Sequence, residues 1–293
     1  MRFGIDISPA GEWGTPRELA DLAALAERSG WDGVFLEDYV FYPGGLDSYD
    51  PWIALAAIAL ATERIRLGTM VTPLPRRRPW KVAAEAATID HISNGRLILG
   101  VGSGDPQSPD NIRLGEPTDP RVRAALLDES LDVIDGLWCG RPFSHDGTHY
   151  RIEEVTLRPR PVQRPRIPIW VGGQLVRRHP RDRALRWDGA CLYRATPPDW
   201  VDITPDDVRG LRALAQQRRG PDTRFDIAMG GRERRDDEEA ERKYVTELAE
   251  AGATWWHEFL PPTIPLQAAR EHITRGPLQP TTASSQEPTA FDE

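Results

Sequence analysis

Carboxylates, hydroxyls and glycines gather at a few short places in this chain. Asp6 and Ser8 stand near its start, and Glu37, Asp38 and Tyr39 are consecutive. Gly102, Ser103, Gly104 and Asp105 follow one apolar run, and Gly172, Gly173 and Gln174 follow another. A partly desolvated carboxyl can hold its proton towards neutral pH and exchange it with a ligand. Asp105, Asp38 and Tyr39 are therefore the candidate acid and base groups, with Glu37 beside them. Glycine lacks a Cβ, so the backbone can lie against a flat ring or a phosphate. Gly102 to Gly104 and Gly172 to Gln174 could together hold one elongated ligand. Arg177 and Arg178 follow the second cluster and suit a phosphate at a helix start. Tight turns explain the glycines equally well, and an Asx turn before Pro106 explains Asp105.

Other chemistries are excluded by pattern. The six histidines are scattered with no metal-ligand spacing, so a histidine-built metal site is not expected. The Gly100-Val-Gly-Ser-Gly104 run has Asp105 where a dinucleotide turn needs its third glycine, and it leads into prolines. No nucleophile elbow follows a strand. A net charge of −8 argues against nucleic acid or an anionic membrane as partner. Two isolated cysteines suit a reducing cytoplasm. The first residues read as a strand rather than a signal peptide, and no uncharged run is long enough for a membrane span.

The elements that must position these residues repeat one sentence: apolar strand, loop, amphipathic helix. Strands are expected at 2–7, 33–37, 65–72, 96–101, 167–171, 189–193, 225–229 and 254–260. Thr15 and Pro16 open the first helix, and Pro51 and Pro79 open the next two. Further helices are expected over 121–137, 205–217, 236–251 and 266–273. The first four strands begin about 31 residues apart, the length of a βαβ unit. Eight such units predict a single parallel (β/α)8 barrel over residues 1–278. An excursion at 142–166, between the fourth and fifth strands, reads as a hairpin. Residues 279–293 lack apolar periodicity and are expected to be a disordered tail. In such a barrel the active site lies on the loops that follow the strands, where every candidate above falls.

These segments also resemble a known family. Ile65-Arg-Leu-Gly-Thr-Met-Val-Thr-Pro73, Asp90-His-Ile-Ser-Asn-Gly-Arg96, Leu97-Ile-Leu-Gly-Val-Gly-Ser-Gly104 and Pro168-Ile-Trp-Val-Gly-Gly173 are similar, in order and spacing, to the luciferase-like monooxygenases. The resemblance implies a (β/α)8 barrel, commonly dimeric, that uses reduced FMN or an 8-hydroxy-5-deazaflavin (coenzyme F-420). It implies that Thr69, Met70 and Val71 press against the ring, sometimes through a cis peptide. It implies that Gly102, Ser103, Gly104, Gly172, Gly173 and Gln174 hold the cofactor. Monooxygenation of a small organic substrate with FMN is the default activity, served by a flavin reductase. Deazaflavin-dependent hydride transfer is the alternative, and a non-catalytic flavin-binding barrel is a third. Many FMN members carry arginine where Ser103 stands. Gly102-Ser-Gly-Asp105 is similar to hydride-transferring members, which usually present histidine where Tyr39 stands. The loop after the seventh strand is too short for the long lid of true luciferases.

Overall fold

The protein is described here by a computed structural model covering residues 1–105, 107–194 and 201–280. Its strands are β1 (Arg2–Ile7), β2 (Gly33–Leu36), β3 (Arg66–Thr69), β4 (Thr72–Pro73), β5 (Leu97–Gly102), β6 (Phe143–Asp146), β7 (Arg151–Val155), β8 (Ile169–Gln174), β9 (Gly189–Tyr193), β10 (Asp226–Arg232) and β11 (Trp255–Leu260). The wall runs β3-β2-β1-β11-β10-β9-β8-β5-β4, and β3 also pairs with β5, which closes it. All wall pairings are parallel. β3 and β4 are two pieces of one wall strand, so the result is the eight-stranded barrel that the repeat predicts. β6 and β7 form the antiparallel hairpin expected in the excursion.

The helices are α1 (Pro16–Arg28), α2 (Pro51–Ala61), α3 (Pro79–Ile92), α4 (Pro109–Ile112), α5 (Pro120–Trp138), α6 (Arg178–Ala184), α7 (Pro205–Arg219), α8 (Glu238–Glu250) and α9 (Leu266–Arg275). Their starts follow local chemistry. Thr15 accepts from the Glu18 N–H, Asp50 from those of Trp52 and Ile53, and Asp119 from that of Arg121. Thr204 and Asp207 cap α7 reciprocally. Each such cap is worth about 1 kcal/mol. Asn94, at φ 53°, and Gly95, at φ 81°, turn the chain after α3. The short α4 and α6 carry too few apolar positions for periodicity to reveal them.

Two buried side chains tie the wall to its surroundings. Asp90 accepts from the Val162 and Gln163 N–H groups and from Gln163 Nε2, anchoring the excursion. Arg96 donates to the carbonyls of Ala59, Thr62, Ile65 and Ser93, satisfying the end of α2. The apolar core lies mainly between wall and helices. Inside the barrel, Phe35, Ile98, Trp170, Ala228 and Trp255 form a second cluster, with Met70 and Cys191 packed on it. The expected tail, 279–293, lies outside the described residues from 281 onward.

Candidate active site

Alternation along a strand decides which side chains reach the barrel interior. On β2, Phe35 faces inward and stacks on Trp170 at 5.5 Å between ring centroids. Glu37 shares that side, two residues on. Asp38 must face the other way, and it does. Its Oδ2 accepts from Thr72 Oγ1 at 2.8 Å and from Trp52 Nε1 at 3.3 Å. Its Oδ1 accepts from Arg76 at 2.6 Å and Arg77 at 2.8 Å. Burial acts to raise the Asp38 carboxyl, but Arg77 and Arg76 outweigh it and hold it below the usual carboxylate range. Its acceptor sites are thereby engaged in holding the loop after β4 against β2.

The peptide between Met70 and Val71 is cis. Val71 reaches the mouth between two glycines: a Cβ on Gly102 would stand 2.9 Å from Val71 Cγ2, and one on Gly172 would stand 3.2 Å from Cγ1. The Gly172 position is also 3.5 Å from Cys191 Sγ. Backbone at Gly102 and Gly172, with the Val71 isopropyl between, makes a floor from which neither glycine raises a side chain. A flat ring fits such a surface. Thr69 lies just beneath, its Oγ1 donating to the Gly100 carbonyl at 2.7 Å.

The rim carries polar groups. Gln174 pairs with Tyr193 across β8 and β9. Burial raises the Tyr193 phenol, and the Asp105 charge adds to this. Gly104 has φ 70°, and a Cβ there would meet Arg123 Nη2 and Pro73 at 2.8 Å. The buried Arg123 donates to the carbonyls of Ser103 and Pro117, clamping that loop. Asp105 is exposed, and its Oδ1 accepts from the Gln107 N–H at 2.9 Å, an Asx turn. Tyr39 packs edge-on against Tyr42 at 5.4 Å.

Sequence spacing does not reveal one pairing. Asp6 on β1 and His257 on β11 lie 251 positions apart, yet Oδ1 and Nδ1 meet at 2.7 Å inside the barrel. The imidazole is packed among Phe35, Trp170 and Trp255, at 4.7, 6.0 and 5.7 Å between centroids. Its Nε2 is buried without a hydrogen-bond partner among the described residues. These rings fill the interior beneath the mouth. Glu258 faces outward instead, held by Arg234 at 2.9 Å and His272 at 2.7 Å. Outside α3, the His91 ring reaches the Arg160 carbonyl at 2.9 Å, a structural contact.

At the mouth, Ser8 Oγ donates to Glu37 Oε2 and lies 3.4 Å from Tyr42 Oη. Burial chiefly pushes the Glu37 carboxyl up to about 7, with the Asp6 charge adding and the Ser8 hydrogen bond opposing. A groove of about 550 Å³ opens at the other end of the barrel, lined by Arg2, Arg212 and Arg224 among others. It is remote from the strand-end loops on which barrel chemistry is built.

The model of the luciferase-like monooxygenases matches residues 1–292. An F420-dependent glucose-6-phosphate dehydrogenase of Microbacterium testaceum is 36% identical over 177 residues, 59% of this chain and 51% of that protein. The oxygenase component of a flavin-dependent trigonelline monooxygenase from Acinetobacter baylyi is 30% identical over 193 residues, 66% of this chain and 52% of that protein. The chain thus spans about half the length of the curated relatives it matches. Among solved structures, a monooxygenase from Streptomyces bottropensis superposes with a TM-score of 0.74 at 23% identity, covering 93% of this chain and 96% of that one. An F420-dependent secondary alcohol dehydrogenase gives 0.72 at 17% identity, covering 92% and 96%. At such identities these two likenesses speak for the fold.

Proposed function

This chain belongs to the luciferase-like monooxygenase family, and from that premise we propose that it is a deazaflavin-dependent oxidoreductase acting on a small organic molecule by hydride transfer. The observation that carries this reading is the glycine floor around Val71 with a proton-holding carboxyl, Glu37, beside it. A bound deazaflavin would accept or supply hydride at its ring. The chain's own residues would bind, orient and keep water out. Val71, Gly102 and Gly172 would support the ring, and Met70 and Thr69 would brace it from below. Ser103, Gly104, Gly173 and Gln174 would line its edges. Ser103 supplies a hydroxyl where many FMN members have a guanidinium, which favours the deazaflavin. Asp105 would order its own loop, Asp38 would frame the β2 end, and Tyr39 would offer a phenol at the rim.

The second reading is an FMN-dependent monooxygenase fed by a separate reductase. It is favoured by the relative that is an oxygenase component. Titrating the purified protein with the deazaflavin coenzyme and with FMN, followed by fluorescence, separates the two. Preference for the deazaflavin supports hydride transfer, and tight binding of FMN alone overturns it for monooxygenation. Binding of neither by folded protein leaves a non-catalytic barrel.

We also propose a homodimer. α2 leaves Ile53 and Leu60 on the surface, 66% and 78% exposed, with Ala56 and Ala57 between them on the same face. Such a stripe on an otherwise apolar helix is the character of a protein contact. Among the described residues no helix is long and apolar enough to cross a membrane. Cys139 and Cys191 are free thiols, and the proposed setting is a reducing cytoplasm.

A further inference from the structure

Two carboxylates from neighbouring strands, Asp6 and Glu37, share the mouth of the barrel, and among the described residues only one of them has a basic partner. Asp6 is engaged by His257 Nδ1 at 2.7 Å. Glu37 has the Ser8 hydroxyl on Oε2, while its Oε1 accepts no hydrogen bond among the described residues. Beyond Ser8, at 3.4 Å, stands the half-buried hydroxyl of Tyr42, on the loop that leads outward from β2. Like charges at close range cannot both be held cheaply in a desolvated place. The carboxyl without the imidazole is the one that keeps its proton.

We propose that Glu37 is the proton-exchanging group of this mouth, with Ser8 and Tyr42 forming the path that connects it to solvent. The proposal rests on reading the mouth as the active site, and it identifies the substrate as a molecule with an ionisable oxygen, an alcohol or its carbonyl partner. In the forward step the substrate O–H bond breaks and a new O–H bond forms on Glu37 Oε1. The electron pair stays on the substrate oxygen, and the charge leaves the carboxylate. Rotation of the carboxyl then turns the protonated oxygen towards Ser8, which accepts that proton and passes its own to Tyr42 Oη, and Tyr42 passes its own to water. In reverse, neutral Glu37 protonates the substrate oxyanion.

The groups facing Glu37 agree with this assignment. From β1 comes the Asp6 charge, backed on β11 by His257. Asp6 also acts on the Cys191 thiol of β9, which burial and Asp6 push up, so that it adds no charge. From the loop after β2 comes Tyr42, which burial likewise raises. Asp38, the next residue, faces away into its arginines. With these neighbours the Glu37 carboxyl exchanges its proton at about pH 7, where a general acid or base works best.

The test is direct titration of carboxyl groups in the full chain without ligand, by carbon-13 NMR of glutamate-labelled protein between pH 5 and 9. Wild type should show one glutamate carboxyl with a midpoint of about 7, and Glu37→Gln should lack it. Ser8→Ala should retain it and move the midpoint upward by about half a unit to one unit, because a hydrogen bond to the charged form is lost. No titration near neutrality in wild type, or its persistence in Glu37→Gln, overturns the proposal. Fluorescence titration with the deazaflavin coenzyme tests the mouth separately. Coenzyme bound by both proteins with no neutral-range carboxyl sinks the Glu37 assignment alone. Coenzyme bound by neither sinks the reading beneath it as well.

Discussion

Glu37 and Asp38 are adjacent in the chain and lie on opposite sides of the barrel wall: Glu37 bonds to Ser8 at the mouth, and Asp38 is buried between Arg76 and Arg77. One peptide step therefore separates a carboxyl that holds its proton from one that gives it up. Their substitutions should differ in kind.

Asp38→Ala removes a buried carboxylate that Arg76 and Arg77 share in a desolvated place. The expected loss is about 3–5 kcal/mol of folding stability. Urea unfolding checks this, and a loss below about 1 kcal/mol would deny the residue its structural role. The pH dependence has a definite sign. The folded Asp38 carboxyl lies below its ordinary value of 3.8. Its contribution is therefore present above that pH and fades as the pH falls through the folded value. The variant should unfold with a flatter acid limb.

Glu37 works in the opposite direction. Its folded carboxyl binds a proton more tightly than the unfolded one, about 7 against 4.5. The stability it confers is complete below pH 4.5 and is lost as pH rises through 7. The change is on the order of 2 kcal/mol, allowing for partial exposure. Glu37→Gln should erase that slope and make the protein more stable than wild type at pH 8. Melting curves from pH 5 to 8 that run parallel in the two proteins would contradict this.

Gly172→Val should raise a branched side chain beside Val71, on the floor where the ring is proposed to lie. We expect coenzyme affinity to fall at least about tenfold, equivalent to ~1.4 kcal/mol. Circular dichroism should still report the barrel. Unchanged affinity in folded variant protein would remove the ring from this floor.

Leu60→Glu, on the exposed face of α2, places a charge in the proposed contact between copies. Sedimentation should show wild type as a dimer and the variant as a monomer at the same concentration. A wild type that sediments as a monomer would refute the dimer outright.

Much of the scaffold was legible because its physics is local. Period-2 apolar runs, prolines at helix starts and the Asn94-Gly95 turn each act over a few residues, and the structure places β1, α1, α2 and α3 where those signals lie. β8 and β10 each run three residues further than the apolar runs suggest, through glycines that lack side-chain signal. The pairing of Asp6 with His257 was not legible, since it depends on the closure of the first strand against the last. Neither was the clamp of Arg123 on Ser103, in which a buried charged side chain donates to backbone carbonyls. The sequence marks Asp105 as a carboxyl behind a glycine loop, and spacing does not show that it is exposed and committed to its own turn. Alternation separates Glu37 from Asp38, but which of them faces inward follows only from the packing of Phe35.

The stack of Phe35, Trp170, Trp255 and His257 has a kinetic consequence. The rings fill the barrel interior beneath the mouth, so a ligand seated on the glycine floor would leave by the mouth through which it came. Whatever lies deeper has to arrive first and depart last. Turnover should accordingly follow a compulsory order, with the substrate exchanging above a resident that outlasts it.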